Sequence, residues 1–191
     1  MNNEQLLQMY DAIRQQPDLL VKAAARKRLI NFARYMQPDL VLEPFHVVYY
    51  TLLDMFAHGK IRKMIVQQPP QHGKSEGSSR KLPAFMLGLD PDRKICIGSY
   101  AATIARDFNR DVQRIIDTPR YRELFPGTYL NGSNVVTMAN TYLRNSDVIE
   151  MVGRKGSLRV VGRGGSLTSK TVDVSILDDV YKDYAEGNSP I

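Results

Sequence analysis

Residues 61–87 read IRKMIVQQPPQHGKSEGSSRKLPAFML, and this stretch decides the fold class. Ile61 to Gln67 has the apolar character of a buried strand. A loop rich in proline and glycine follows, and from about Lys74 to Leu87 the pattern predicts a helix. Strand, glycine-containing loop and helix in direct succession form the setting of a phosphate-binding loop. Gly73 lets the backbone come close to phosphate oxygens. Amides from Gln71 and His72 onward, with the positive end of the helix dipole, favour an anion. Lys74 supplies a mobile ammonium for the β- and γ-phosphates, and Ser75 a hydroxyl ligand for Mg²⁺. Glu76 completes the expected nucleotide-binding set. The usual pattern, GxxxxGK[ST], opens on a glycine; here Gln68 stands in that place. Pro69 and Pro70 remove two backbone donors but stiffen the loop.

Outward from this loop, strands and helices alternate. Upstream, residues 3–16 predict a helix with Leu6, Leu7, Tyr10 and Ile13 at helical spacing, which Pro17 closes or interrupts. Residues 18–35 predict a second helix, basic through Lys22, Arg26, Lys27, Arg28 and Arg34. Pro44 and Gly59 bracket a third, with Phe45, Val48, Tyr49, Leu52, Leu53 and Phe56 as one apolar stripe read as core. Downstream, Lys94 to Ser99 predicts a strand around Ile95-Cys96-Ile97. Ala101 to Asp117 predicts a helix with Ile104, Phe108, Val112, Ile115 and Ile116 on one face, with Ser99 expected as its cap and a catalytic role for Ser99 as the alternative. Weaker strands are expected at Val148–Val152 and Leu158–Val161, and a clear one at Val172–Leu177. The alternation implies an α/β fold: a mostly parallel central sheet flanked by helices, with ligands at the carboxyl ends of the strands. The expected division is an N-terminal helical segment over 1–43 and a P-loop core over 44–191.

The last strand ends in Asp178 and Asp179. An apolar strand closing on paired carboxylates is the usual partner of a phosphate loop. Asp178 is expected to hold Mg²⁺ through its water shell. Asp179 is expected to orient and polarise the attacking water. ATP and Mg²⁺ are therefore the expected ligands.

Composition sets the frame. Hydrophobic residues make up 43% of 191 residues and charged residues 24%, the balance of a soluble globular domain rather than a disordered one. No stretch is long and apolar enough to predict a membrane span. A single cysteine, Cys96, excludes an internal disulfide and fits a reducing cytoplasm. The net charge of +6 suits a polyanionic partner such as DNA, although many globular proteins are mildly basic.

Two runs, PPQHGKSEGSSRKLPAFMLGLDPDRKICIGSYAATIARDFNRDVQRIIDTPRYRELFPG and GSLRVVGRGGSLTSKTVDVSILDDVYKD, resemble the ATPase domain of tailed-phage terminase large subunits. The likeness runs in order over roughly residues 30–190. It takes in the His-Gly-Lys-Ser loop, Gly98-Ser99-Tyr100, Leu124-Phe125-Pro126, Gly162-Arg163-Gly164-Gly165 and Asp178-Asp179. The resemblance implies ATP-driven translocation of double-stranded DNA into a procapsid, in a host cytoplasm. It further implies a ring-forming homo-oligomer, with a portal protein and a small terminase subunit as partners. It implies that Arg163 reaches the ATP of a neighbouring subunit; a surface or DNA-contacting arginine is the alternative. His46, beside Phe45, lies where related motors contact adenine, with a structural histidine at a helix start as the alternative. His72 is expected to fix the loop. Arg154, Lys155, Arg159 and Lys170 are expected as basic surface, with DNA contact as the alternative for each. The family continues beyond the acidic strand with a coupling motif and a nuclease domain, so the core is expected to be incomplete at Ile191. A helicase-like motor and a nucleotide-binding fragment without efficient turnover are the competing readings.

Overall fold

The computed structural model describes residues 2, 5, 17–136, 141–165 and 171–181. The helix expected over 3–16, Lys170 and residues 182–191 lie wholly or almost wholly outside them.

Pro17 opens the first described helix. α1 runs Pro17–Lys27 and α2 Leu29–Met36. The single basic helix expected over 18–35 is broken because Arg28 is extended. Asp54 explains the break: its Oδ1 accepts the Leu29 N–H at 2.8 Å, starting α2 where Arg28 leaves off. α3, Pro44–Ala57, has the expected bounds, with proline at its start and Gly59 at positive φ just past its end. Its buried face is Tyr49, Tyr50, Leu53, Asp54 and Ala57. Half of the expected stripe is not core: Phe45, Val48 and Leu52 stay exposed.

Ile61–Gln67 forms no strand. It is a lone extended ribbon, with Met64 and Val66 turned to the core and Ile65 outward. Among the described residues, no backbone group from 62 to 69 has a backbone partner. The alternation satisfies the hydrophobic pattern of a strand without the pairing that defines one.

After the loop comes a π-helical segment, Glu76–Lys81, continuous with α4, Leu82–Leu89. Pro83 sits at the junction of the two and offers no N–H to the turn before it. β1 (Lys94–Ser99) leads to α5 (Ala102–Asp117), then α6 (Pro119–Leu124), β2 (Val148–Glu150), β3 (Ser157–Gly162) and β4 (Val174–Leu177). Among the described residues the sheet has four strands in the order β2-β3-β1-β4. β1 pairs in parallel with β3 and β4, and β2 is antiparallel to β3. The fold is thus α/β, a mostly parallel open sheet flanked by helices. Ile95, Cys96 and Ile97 are all buried because β1 has a strand on each side and helices over its faces.

The core continues into a ring cluster. Phe32, Phe85, Tyr121 and Phe125 meet edge-on or tilted at centroid distances of 5.2–6.4 Å. This cluster fastens α2 and α6 to α4. Ser99 does not cap α5. The helix begins two residues too late for it, with Ala101 at the cap position. The carbonyl of Ser99 is fixed in the sheet, accepting the Arg163 N–H at 2.9 Å. Among the described residues, no helix is long and apolar enough to cross a membrane.

Candidate functional site

The loop after the ribbon and the two aspartates after β4 converge at the carboxyl ends of the parallel strands. Lys74 Nζ lies 2.5 Å from Asp179 Oδ1 and 3.4 Å from Asp178 Oδ1. The two motifs, 105 residues apart in the case of Lys74 and Asp179, thus meet in one ion cluster. Beside it is a cavity of about 490 Å³ lined by Gln68, Pro69, Pro70, Gln71, Gly73, Lys74, Ser75, Glu76, Arg80 and Asp179. That size is within the range of small-molecule sites.

Local geometry shapes the loop. Gln71 (φ 62°) and Gly73 (φ 76°) both adopt left-handed backbone, turning the chain sharply into the helix. His72 Nδ1 bonds the Pro70 carbonyl at 2.7 Å, a contact within the loop. Tyr49 donates its hydroxyl to the Lys74 carbonyl at 2.5 Å, and Ser78 Oγ donates to the same oxygen at 2.9 Å. Burial pushes the Tyr49 phenol up to about 12, so it remains a donor throughout the neutral range. α3 can come this close because Gly77 has no side chain: a Cβ there would lie 2.6 Å from Tyr49 Cε1.

His46 is placed at the start of α3. Its Nδ1 accepts the Glu43 N–H at 3.0 Å, which puts the ring proton on Nε2, 3.3 Å from the His72 carbonyl. Both ring nitrogens are engaged by the chain, an arrangement that supports the structural alternative for this residue. The Phe45 ring lies tilted against the His46 ring at a centroid distance of 3.9 Å.

The carboxylates differ in kind. Asp178 is buried, and its Oδ2 accepts a hydrogen bond from Ser79 Oγ at 2.6 Å. Asp179 is exposed and left-handed at φ 46°, a conformation aspartate tolerates better than most residues. Its carbonyl accepts the Tyr100 N–H at 3.0 Å, which ties the turn back to β1. Partial burial pulls the Lys74 ammonium down, but the Asp179 hydrogen bond and the charges of both aspartates outweigh it. The group is held above its ordinary value and stays cationic.

Glu76 pairs with Lys81 at 2.9 Å and lies 3.7 Å from Arg80. Arg80 also bonds Asp111 at 2.6 Å and covers the Phe108 ring at 5.0 Å. Arg163 is not among the cavity residues; it leaves the end of β3 and lies over the Tyr181 ring at 5.1 Å. Tyr49, Ser79 and Arg80 are site residues the sequence reading passed over. Tyr49 stood in the apolar stripe of its helix, and the other two have partners far away in the chain.

The oxygen donors suit a hard cation. Asp178 offers a buried carboxylate and Ser75 lines the cavity, and Mg²⁺ takes one or two protein oxygens and keeps the rest of its shell as water or phosphate. Among the described residues no group of three or more His, Cys, Asp or Glu converges as a metal cage. A nucleotide-borne ion does not need one. Two further cavities lie elsewhere, one lined mainly by Lys94, Arg154, Lys155 and Arg159 and one beside Asn145 and Asp147. Neither contains the loop or the aspartate pair. No family model, curated protein or solved structure matches the chain.

Proposed function

We propose that this chain binds and hydrolyses Mg-ATP at the 68–75 loop, as the ATPase part of a motor that moves double-stranded DNA into a viral procapsid. The observation that carries the nucleotide part is the Lys74 ammonium bridging Asp178 and Asp179 beside the loop cavity. A lysine, a buried carboxylate and an exposed carboxylate at one strand-end cavity are the groups that phosphoryl transfer to water uses.

The roles follow from the chemistry. Phosphate oxygens compete with Asp179 for the Lys74 ammonium, and turning Lys74 to them frees the Asp179 carboxylate. That carboxylate accepts a proton from a water lined up on the γ-phosphorus. The oxygen–phosphorus bond forms as the bond to the bridging oxygen breaks, leaving ADP and inorganic phosphate. Ser75 and Asp178 would hold Mg²⁺, which offsets charge on the β- and γ-phosphates when bound. Arg80 and Glu76 line the cavity wall.

The DNA-moving part rests on the resemblance in sequence and on the net charge of +6. From the resemblance also come the ring, the portal and small-subunit partners, and the host cytoplasm. In such a ring Arg163 would serve a neighbour's nucleotide, as its place outside its own cavity allows.

The test is ATP binding and turnover by the wild type, Lys74→Ala and Asp179→Ala. Lys74→Ala should weaken binding, and Asp179→Ala should keep binding and lose turnover. Equal ATP affinity in the wild type and Lys74→Ala would overturn the assignment.

A further inference from the structure

Ser79 makes a contact that the loop motif does not call for. It is fully buried, and its hydroxyl donates to Asp178 Oδ2 at 2.6 Å, linking residues 99 apart. The hydroxyl of the motif itself, on Ser75, belongs to a residue of the cavity wall. Helix winding brings Ser79 to this place. The Gly77 N–H still bonds the Gly73 carbonyl, but Glu76–Lys81 is wound as a π-helix. A π-turn holds one residue more than an α-turn, so it resets which side chains face the sheet. Such insertions in an α-helix cost stability and recur at functional sites.

We propose that Ser79 is a positioning residue for Asp178, fixing the carboxylate so that Oδ1 faces the metal of a bound nucleotide. The inference rests on the Mg-ATP reading above. With Oδ2 bonded to Ser79, the carboxylate cannot turn about its Cβ–Cγ bond without losing a buried hydrogen bond. Oδ1 is the oxygen left over, and it now lies 3.4 Å from Lys74 Nζ. When Lys74 turns to phosphate, that same oxygen is presented to the ion. Mg²⁺ demands near-octahedral geometry, so a carboxylate held in one rotamer binds its hydration shell better than one that rotates.

The test reads metal binding rather than turnover. A fluorescent ATP analogue is bound to the full chain, first with EDTA and then with increasing Mg²⁺. Ser79→Ala should leave metal-free binding unchanged and raise the Mg²⁺ concentration for the half-maximal response by about tenfold or more, as loss of an outer-sphere partner does. Ser79→Thr, which keeps the hydroxyl, should restore the wild-type Mg²⁺ requirement. If Ser79→Ala fails to fold, Ser79→Cys takes its place: its thiol is a weaker donor, so it too should raise the Mg²⁺ requirement, by less than full loss of the hydroxyl. An unshifted Mg²⁺ requirement in Ala, or in Cys where Ala does not fold, or a Thr variant shifted as far as either, overturns the positioning role alone. A wild type that binds no nucleotide overturns the Mg-ATP reading itself.

Discussion

Lys74→Met should destabilise the nucleotide-free protein, because the lysine is the shared counterion of two carboxylates. At 3.4 Å from Asp178, the gross attraction is about 5 kcal/mol at an effective dielectric constant near 20. Desolvation of Asp178, whose side chain is 3% exposed, offsets much of it. The Asp179 contact is shorter, but that carboxylate is 65% exposed, which limits it to about 1 kcal/mol or less. Methionine keeps most of the volume and removes the charge, leaving Asp178 buried with Ser79 alone. A net loss of ~2–3 kcal/mol follows, below the ~3–5 for a fully buried pair because Lys74 retains some solvent. For a chain of this size that lowers Tm by ~4–12 °C.

Thermal unfolding followed by circular dichroism, without nucleotide, measures it. The pH dependence has a definite sign. The folded-state pKa of Lys74 lies above its ordinary 10.5, so its contribution is complete below about that pH and is lost as pH climbs through the raised value. The gap between wild type and variant should therefore stay constant from neutral pH to about 10 and close above that. Melting curves within about 1 °C of each other at pH 7 would refute the clamp. So would a gap that persists undiminished in strong alkali.

Other changes probe other links. Asp179→Asn should bind nucleotide at least as tightly as wild type, since Lys74 loses its resident partner, while kcat falls by ~10²–10⁴; equilibrium binding beside single-turnover assays would show it. Gly77→Ala should cost ~1–3 kcal/mol by driving a methyl into Tyr49, read as a lower denaturation midpoint in urea. Asp54→Ala should cost a similar ~1–3 kcal/mol, because the Leu29 N–H loses its acceptor where α2 begins; amide exchange at residues 29–32 should quicken beyond the rest of α2. Arg163→Ala should abolish any rise of specific activity with protein concentration while leaving nucleotide affinity intact. An unchanged concentration dependence would remove the arginine from a neighbour's site.

Local signals carried the parts of this fold that were legible in advance. Pro44 and Gly59 punctuate α3, Ile95-Cys96-Ile97 marks a strand with neighbours on both sides, and the Gly-Lys-Ser and Asp-Asp motifs fall at one sheet edge. Resemblance in sequence does not bear on how those motifs touch. What stayed hidden depends on partners elsewhere in the chain. An apolar ribbon at 61–67 reads as a strand whether or not a neighbour offers a pairing edge. Arg28 looks like helix interior until Asp54 accepts the next amide. Val48 and Leu52 look like core because helical spacing gives a stripe, not the side that packs. Ser99 looked like a cap because it precedes a helix, but its backbone belongs to β1 and the helix begins two residues too late for it. Ser79 and Arg80 had no local signal, since Asp178 and Asp111 are 99 and 31 residues away.

The unpaired ribbon sets up a contrast in hydrogen exchange. Amides of residues 62–68 have no backbone carbonyl to leave, so among the described residues they should exchange deuterium near the rate of an open chain. Those of β1, bonded on both flanks, should be among the last to exchange. Lys74, in the loop that follows the ribbon, thus ties this open stretch to the sheet through its ion pairs with Asp178 and Asp179 after β4. A ligand that draws that ammonium away from both carboxylates would loosen this link between the loop and the sheet.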